Sequence, residues 1–401
     1  MIQRIKQAVA VLQKDMVSWR RHLHRNPELS FQERNTIAYV IGRLEAEGIE
    51  VRGGVGKLTP DAPGTGAIAL VKGTRSSSDK CIALRTDLDA LPITEVGKEA
   101  YCSLNPGVMH ACGHDAHTAM VLGAGIALHR LHAEWSGTVM LVFQPGEEKE
   151  PGGASLLVKE GVLNDPKPSG ILGQHVTPEL PIGKLGFRSG AFMAAADELY
   201  ITVKGQGGHA GSPHLCVDPV VITAQLILAL QQVVSRNNKP GRPMVLSLGK
   251  VIANGATNII PDEVRIEGTM RTFDEGWRTE LHRMLPELAK GICMGLGGDV
   301  DFTIVKGSPV VNNDPELTAR IRAAAVDYVG AENIVDMDIR MGAEDFAYYT
   351  HVMPGCFFRV GTGNPSKPGT ISGLHRAEFD IDEDALAIGA GMMAWGAITE
   401  L

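Results

Sequence analysis

Nine consecutive positions, Met109-His110-Ala111-Cys112-Gly113-His114-Asp115-Ala116-His117, hold one thiol, three imidazoles and one carboxylate. A packed core gains nothing from such a density of titratable groups, because each one buried without a partner costs free energy. A metal site uses it well, since borderline cations such as zinc take thiolate, imidazole and carboxylate ligands together. An isolated Cys-x-His would read as a small buried residue and a helix cap. Three imidazoles within reach turn the reading of Cys112 and His114 toward metal. Both precede a helix that opens near Asp115, and a helix N-terminus favours the thiolate that binds metal.

The rest of the chain must bring further ligands to this run. Helical spacing runs from Gln3 to Arg25 and from Asn35 to Glu47, ended by Asn26-Pro27 and by Gly48. Short apolar runs then recur at 66–71, 81–84, 138–143, 171–173 and 356–360, with helical patterns at 115–132 and 154–160 between them. Apolar strands alternating with helices predict an α/β layer fold with a mostly parallel sheet. Polar residues cluster just after those runs: Asp87 and Asp89, Glu147 and Glu148, and His175. Ligands of open α/β sheets bind beyond the carboxyl ends of strands, so these positions converge on one edge.

The 401 residues exceed the size at which one core stops growing, and two domains are expected. Residues 199–203, 245–251, 264–272 and 300–305 read as strands, with helices at 219–234 and 277–294. This β-α-β-β-α-β order is the ferredoxin-like signature. The expected organisation is a discontinuous catalytic domain, 1–186 and 307–401, interrupted by an inserted domain at 187–306 with hinges near Phe187 and Lys306.

Composition narrows the function. A formal charge of -8 argues against binding a nucleic-acid backbone, which relies on a basic face. Six scattered cysteines read as reduced thiols. The first sixteen residues carry Arg4, Lys6, Lys14 and Asp15 and hold no apolar core of a signal peptide. No apolar run looks long enough to span a bilayer. A cytoplasmic enzyme that binds neither nucleic acid nor membrane is the expectation.

Within the candidate site, Glu147-Glu148 ends a fully apolar run, where a solvated acidic surface is less expected. Neighbouring side chains at a strand end point in opposite directions, so one carboxylate can bind metal while the other serves as general base. Asp87 fits either a turn before Pro92 or an acceptor that orients a ligating imidazole. His175 and His375 are single histidines that context alone raises as ligands. His209, Asn258 and Arg271, in the inserted segment, are weak signals by themselves.

Taken together, the residues resemble the M20 family of metal-dependent aminoacylases and exopeptidases, and within it the amidohydrolase branch of hippurate hydrolases and plant auxin-conjugate hydrolases. The matching stretches are 22–28, 85–92, 110–120, 143–148, 208–214, 258–262, 341–349 and 375–380, in order along the whole chain. The resemblance implies a zinc-exopeptidase-like catalytic domain with an inserted lid that also dimerises, giving a homodimer or homotetramer. It implies two divalent ions per subunit, zinc first and manganese, nickel or cobalt as alternatives. Its ligands fall on Cys112, His114, Glu148, His175 and His375, and its general base on Glu147. His209 becomes an oxyanion donor from across the dimer, and Asn258 and Arg271 contacts for a substrate carboxylate. The implied reaction is hydrolysis of an N-acyl-L-amino acid of the hippurate type. A dipeptide or C-terminal peptide bond is the alternative substrate, and a non-catalytic small-molecule-binding homologue a third reading that the retained Glu147 opposes. Gln174, Gly146, the link Lys149-Glu150-Pro151 and the loop Ala210-Gly211-Ser212 depart from the family pattern without removing a ligand or the base.

Overall fold

The computed structural model describes residues 1–97 and 99–401 and divides into two compact units. The first comprises Met1–Gly190, Val311–Asp338 and Asp345–Leu401, and the second Ala191–Val310 and Ile339–Glu344.

The first unit is built on an eight-stranded sheet in the order Val51–Val55, Gly66–Thr74, Ser136–Gln144, Cys81–Asp87, Ile171–Pro181, Gly355–Gly363, Leu185–Phe187, Ile334–Asp336. Its centre is parallel: Cys81–Asp87 pairs in parallel with both Ser136–Gln144 and Ile171–Pro181, which in turn pairs in parallel with Gly355–Gly363. Antiparallel pairings on either side make the sheet mixed. Every residue of Cys81–Asp87 and of Gly355–Gly363 is buried, which is why these strands read as unbroken apolar runs. The helices Ile2–Arg25, His114–Arg130 and Ala385–Glu400 pack on one another. His114–Arg130 is buried from His114 through Leu128, so it is a core helix with no solvent stripe.

Three strands of the eight-stranded sheet, Val51–Val55, Leu185–Phe187 and Ile334–Asp336, and the helix Pro315–Val329 were not legible. Val51–Val55 reads VRGGV, with too little apolar content, and Leu185–Phe187 has only three residues. The helix Pro315–Val329 is capped by Asp314, whose carboxylate accepts the Leu317 N–H at 2.8 Å.

The second unit holds a four-stranded antiparallel sheet, ordered Met244–Ala253, Glu263–Thr272, Ala195–Lys204, Asp299–Lys306. With helices Pro219–Gln232 and Glu275–Gly295 this is the ferredoxin-like order, the last strand lying beside the first. Leu199, Ile201 and Val203 form its core with Leu226 and Leu230 of one helix and Leu281 and Leu285 of the other. Asp218 and Asp274 cap those helices by accepting first-turn N–H groups. One expectation needs correction here. The helical stretch Pro219–Asn237, 19 residues at a mean hydropathy of 1.3, is long and apolar enough to cross a membrane by length and composition. It packs Ile222, Leu226 and Leu230 into the unit's core, as a core helix does.

The units divide at 190/191 and 310/311, against expected boundaries of 186/187 and 306/307. Residues 339–344 also join the second unit, because Ala194 N–H donates to the Arg340 carbonyl at 3.0 Å beside a bridge between Met193 and Arg340. No periodicity in that stretch announces the pairing.

Candidate metal centre

The carboxyl ends of the central strands deliver most of the candidate residues. Asp87 ends one strand and Asp89 follows it, while Glu147 and Glu148 follow Ser136–Gln144. Cys112 and His114 stand at the start of the central helix, where Gly113 caps it with a φ of 85°. His175 sits inside Ile171–Pro181 and does not end a strand as its polarity suggested, since pairing with Gly355–Gly363 continues past it. His375 adopts a φ of 61°, rare for a residue with a β-carbon and characteristic of functional sites.

Cys112 Sγ lies 3.3 Å from His175 Nε2, and His375 Nε2 lies 3.2 Å from Glu148 Oε1. Potential donor atoms within 4.8 Å of one another form two groups that share the thiol: Cys112 with His114 and His175, and Cys112 with Glu148 and His375. A third group joins His114 to Glu147 and Glu148. Both adjacent carboxylates thus reach the same cluster, contrary to the expected opposite directions. Gly146, at a φ of 56°, has already turned the chain out of the strand.

Ring partners fix which nitrogens face the cluster. His175 Nδ1 is 2.7 Å from the Val176 carbonyl, and His114 Nδ1 is 2.9 Å from the Asp89 carbonyl. A carbonyl only accepts, so both Nδ1 atoms carry hydrogen and both Nε2 lone pairs point inward. His114 Nε2 is buried without a hydrogen-bond partner, 3.8 Å from Asp87 Oδ2 and 3.9 Å from Glu148 Oε1. Glu148 Oε1 is likewise buried, with the His375 ring at 3.2 Å and the His114 ring at 3.9 Å. Acceptors facing acceptors in a buried place require a cation or a proton between them. Five donors of thiol, imidazole and carboxylate type fit a borderline divalent cation such as zinc, cobalt or nickel better than magnesium.

Without such an ion, protons are retained. Burial lowers the His114 pKa, but Asp87 and Cys112 outweigh it and hold the ring well above its ordinary value. Hydrogen bonding to Cys112 and Glu148 raises His375 to about 10. Burial, then Arg359 and His117, pushes His175 well down and keeps it a neutral lone-pair donor. The Cys112 thiol is pushed up by burial and then by Glu148. His114 and His375 act in the opposite direction, and a bound cation would add to them in favouring the thiolate.

Of the other two imidazoles of the nine-residue run, His117 lies in a further donor group with Asp87 and His114, but both of its ring nitrogens are already hydrogen-bonded. His117 Nε2 accepts the Val176 N–H at 2.9 Å and its Nδ1 donates to Asp87 at 2.7 Å. His110 is fully buried, belongs to none of the donor groups, and is pushed down to about 4 by burial. Asp87 therefore holds His117 and, at 2.7 Å, Arg85. The acceptor on the ligating His114 is Asp89, whose carboxylate also takes the Glu148 N–H at 2.9 Å and the Ser30 hydroxyl at 2.6 Å. The Arg85-Thr86-Asp87-Leu88-Asp89 motif marks both aspartates, but spacing alone does not say which one meets His114. Asp345 was not singled out: it accepts from Arg85 and Gln144, each at 2.8 Å, and donates its N–H to Glu147 Oε1 at 3.4 Å.

His209, Asn258 and Arg271 belong to the second unit. Gly208–His209 pairs with Ile259–Ile260, and Ala210 N–H donates to the Asn258 carbonyl at 3.0 Å, so His209 and Asn258 share one exposed ribbon. His209 Nδ1 accepts the Gly211 N–H at 3.0 Å, which leaves Nε2–H as an outward donor. Arg271 lies on Glu263–Thr272, half-buried, with no ion-pair partner among the described residues, and burial lowers its pKa.

An α/β sheet that gathers a thiol, imidazoles and carboxylates beyond its strand ends, with Glu147 standing outside the two groups that share the thiol, defines a metal-site protein of hydrolase type. Residues 83–395 match the profile of peptidase family M20/M25/M40, and the chain belongs to that family. It is 39% identical over 386–389 residues to Bacillus subtilis relatives, among them an N-acetylcysteine deacetylase that it matches over 96% of this chain and 97% of that protein. It is 39% identical to the N-acyl-L-amino acid amidohydrolase of Geobacillus stearothermophilus, over 77% of this chain and 81% of that one. The solved structure of the Bacillus subtilis YXEP protein, a dinuclear metal-binding peptidase of the M20 family, superposes with a TM-score of 0.80 at 34% identity, covering 97% and 98% of the two chains.

Proposed function

We propose that the chain hydrolyses the amide bond of N-acyl-L-amino acids, hippurate-like ones included, and releases a carboxylic acid and an amino acid. The observation that carries this reading is the cluster of buried Cys112, His114 and His175 with half-buried Glu148 and exposed His375, and Glu147 beside it. The names of the deacetylase and amidohydrolase relatives support the substrate class.

Two divalent cations, zinc first, would be held by Cys112 with His114 and His175, and by Cys112 with Glu148 and His375. When bound, they polarise the amide carbonyl and lower the pKa of a water toward about 7. Glu147 accepts the proton of the attacking water and returns it to the leaving nitrogen. His209 donates its Nε2–H to the developing oxyanion, an interaction typically worth about 3–4 kcal/mol per donor. Arg271, without an ion-pair partner among the described residues, binds the substrate carboxylate, and Asn258 supplies a further contact to it. A second copy of the chain is the proposed partner, docked through the second unit, where Val221 and Leu228 on Pro219–Gln232 are 57% and 66% exposed. Six unpaired cysteines suit a reducing compartment, and the cytoplasm is the proposed location.

The test is a panel of acetyl-, benzoyl- and indoleacetyl-amino acids set against dipeptides, using zinc- and manganese-loaded protein. Preference for the acyl-amino acids supports the reading. Preference for dipeptides moves the chain to the peptidase alternative that the YXEP likeness keeps open, and inactivity on the whole panel refutes catalysis.

A further inference from the structure

The turn that carries Glu147 and Glu148 is gripped by a segment that supplies no candidate ligand. Glu33 is fully buried at the end of this segment, and its Oε1 accepts the Gly146 N–H at 2.7 Å while its Oε2 accepts the Thr65 hydroxyl at 2.6 Å. Three residues earlier, Ser30 donates to Asp89 at 2.6 Å, and the same Asp89 oxygen takes the Glu148 N–H at 2.9 Å. Between them Phe31 adopts a φ of 64°, a conformation aromatic residues seldom occupy. Its ring lies where a β-carbon on Gly146 would be, so only glycine fits beneath it. The backbone N–H groups on both sides of Glu147 are thus taken by buried carboxylates, one from Glu33 and one from Asp89.

We propose that Glu33 is a positioning residue for the Glu147–Glu148 turn: by holding the Gly146 amide it sets where the general base and its neighbouring ligand carboxylate stand. The inference rests on the roles given above to Glu147 and Glu148. A buried carboxyl is a costly choice where a neutral acceptor would fill the space. Burial, and then the charge of Asp89, push Glu33 up to about 7. Such a placement fits a residue kept for its geometry. Residues that orient a metal ligand from behind typically govern affinity or activity by about 10–100-fold.

The test compares wild type, Glu33→Gln and Glu33→Ala, each stripped of metal and titrated with Co2+, with the thiolate-to-cobalt absorption read directly. Glu33→Gln keeps one oxygen for the Gly146 N–H, and about a tenfold loss of Co2+ affinity is expected; Glu33→Ala loses about 100-fold. On loaded protein, kcat for an N-acyl amino acid falls in the same order while KM stays within about twofold, since the substrate contacts are elsewhere. Wild-type Co2+ affinity and kcat in a folded Glu33→Ala protein overturn the proposal, as does a loss of thermal stability alone. Should Glu33→Ala fail to fold, Glu33→Gln decides on the same criteria. A wild-type chain that takes up Co2+ but hydrolyses no N-acyl amino acid refutes the functional reading, and the affinity comparison still decides this one.

Discussion

Asp89→Asn is the change that most sharply separates the two aspartates of the Arg85–Asp89 motif. Asp89 is buried and takes three donors: Ser30 Oγ at 2.6 Å, Glu148 N at 2.9 Å and His114 Nδ1 at 3.3 Å. Its pKa lies below the usual carboxylate range, because hydrogen bonds from His114 and Ser30 outweigh the burial that would raise it. An asparagine has one oxygen, so its NH2 group must face donors on one side. If the amide oxygen stays with Ser30 and Glu148, His114 retains only the Asp89 carbonyl at 2.9 Å and loses the nearby negative charge. The new NH2 group then faces the His114 Nδ1–H as a buried donor without an acceptor, which costs about 1–3 kcal/mol, and loss of an orienting acceptor weakens metal binding by about 10–100-fold. These two ranges agree, since a factor of ten is about 1.4 kcal/mol. Competitive Co2+ titration of the folded variant measures the loss. Asp87→Asn is the control: it strips buried Arg85 and His117 of a partner, and the result is lower stability, on the order of 3 kcal/mol, with a smaller change in Co2+ affinity. Wild-type affinity in Asp89→Asn, together with lost binding in a folded Asp87→Asn, would refute the assignment of His114 to Asp89.

Other outcomes follow from the same geometry. Glu147→Gln should lower kcat by about 10²–10⁴-fold, the usual worth of a general base, with metal content unchanged; turnover within a few-fold of wild type removes Glu147 from the chemistry. Cys112→Ser should abolish the thiolate-to-cobalt band and weaken both ions together, because the thiol belongs to both donor groups; loss of one ion alone contradicts the shared role. Glu33 titrates near 4.5 unfolded and about 7 folded, so the folded chain holds its proton more tightly. Its stabilising contribution is complete below pH about 4.5 and is lost as pH rises through about 7, a change on the order of 3 kcal/mol. Thermal melts of Glu33→Gln should therefore fall less than those of wild type across that window, and parallel curves refute the shift. Arg271→Ala should raise KM for N-acyl amino acids about tenfold or more with a smaller effect on kcat; an unchanged KM assigns the carboxylate to another group.

Much of the fold was legible because its strands are buried on both faces. Cys81–Asp87 and Gly355–Gly363 admit no polar alternation, so their apolar runs stand out, and the β-α-β-β-α-β rhythm of the second unit marks its sheet equally well. Val51–Val55 escaped because edge strands tolerate glycine and arginine, and residues 339–344 because their membership rests on backbone pairing that leaves no side-chain signature. In the site, residue type gave the thiol, the ring nitrogens and the carboxylates, since few other chemistries use them together. Orientation lay beyond the sequence. Which of His110, His114 and His117 faces the cluster depends on the Val176 and Asp89 backbone groups, which lie 59 and 25 residues from their partners. The work of Glu33 and Phe31 was hidden for the same reason, because an acid and an aromatic after a turn look like ordinary surface until Gly146 is placed against them.

Anomalous diffraction at the zinc edge from crystals of the zinc-loaded protein tests the account at its root. Two peaks are predicted, one bounded by Cys112, His114 and His175 and the other by Cys112, Glu148 and His375, with the Glu147 carboxylate next to them and bound to neither. A single peak, peaks at other residues, or Glu147 serving as a ligand would contradict it.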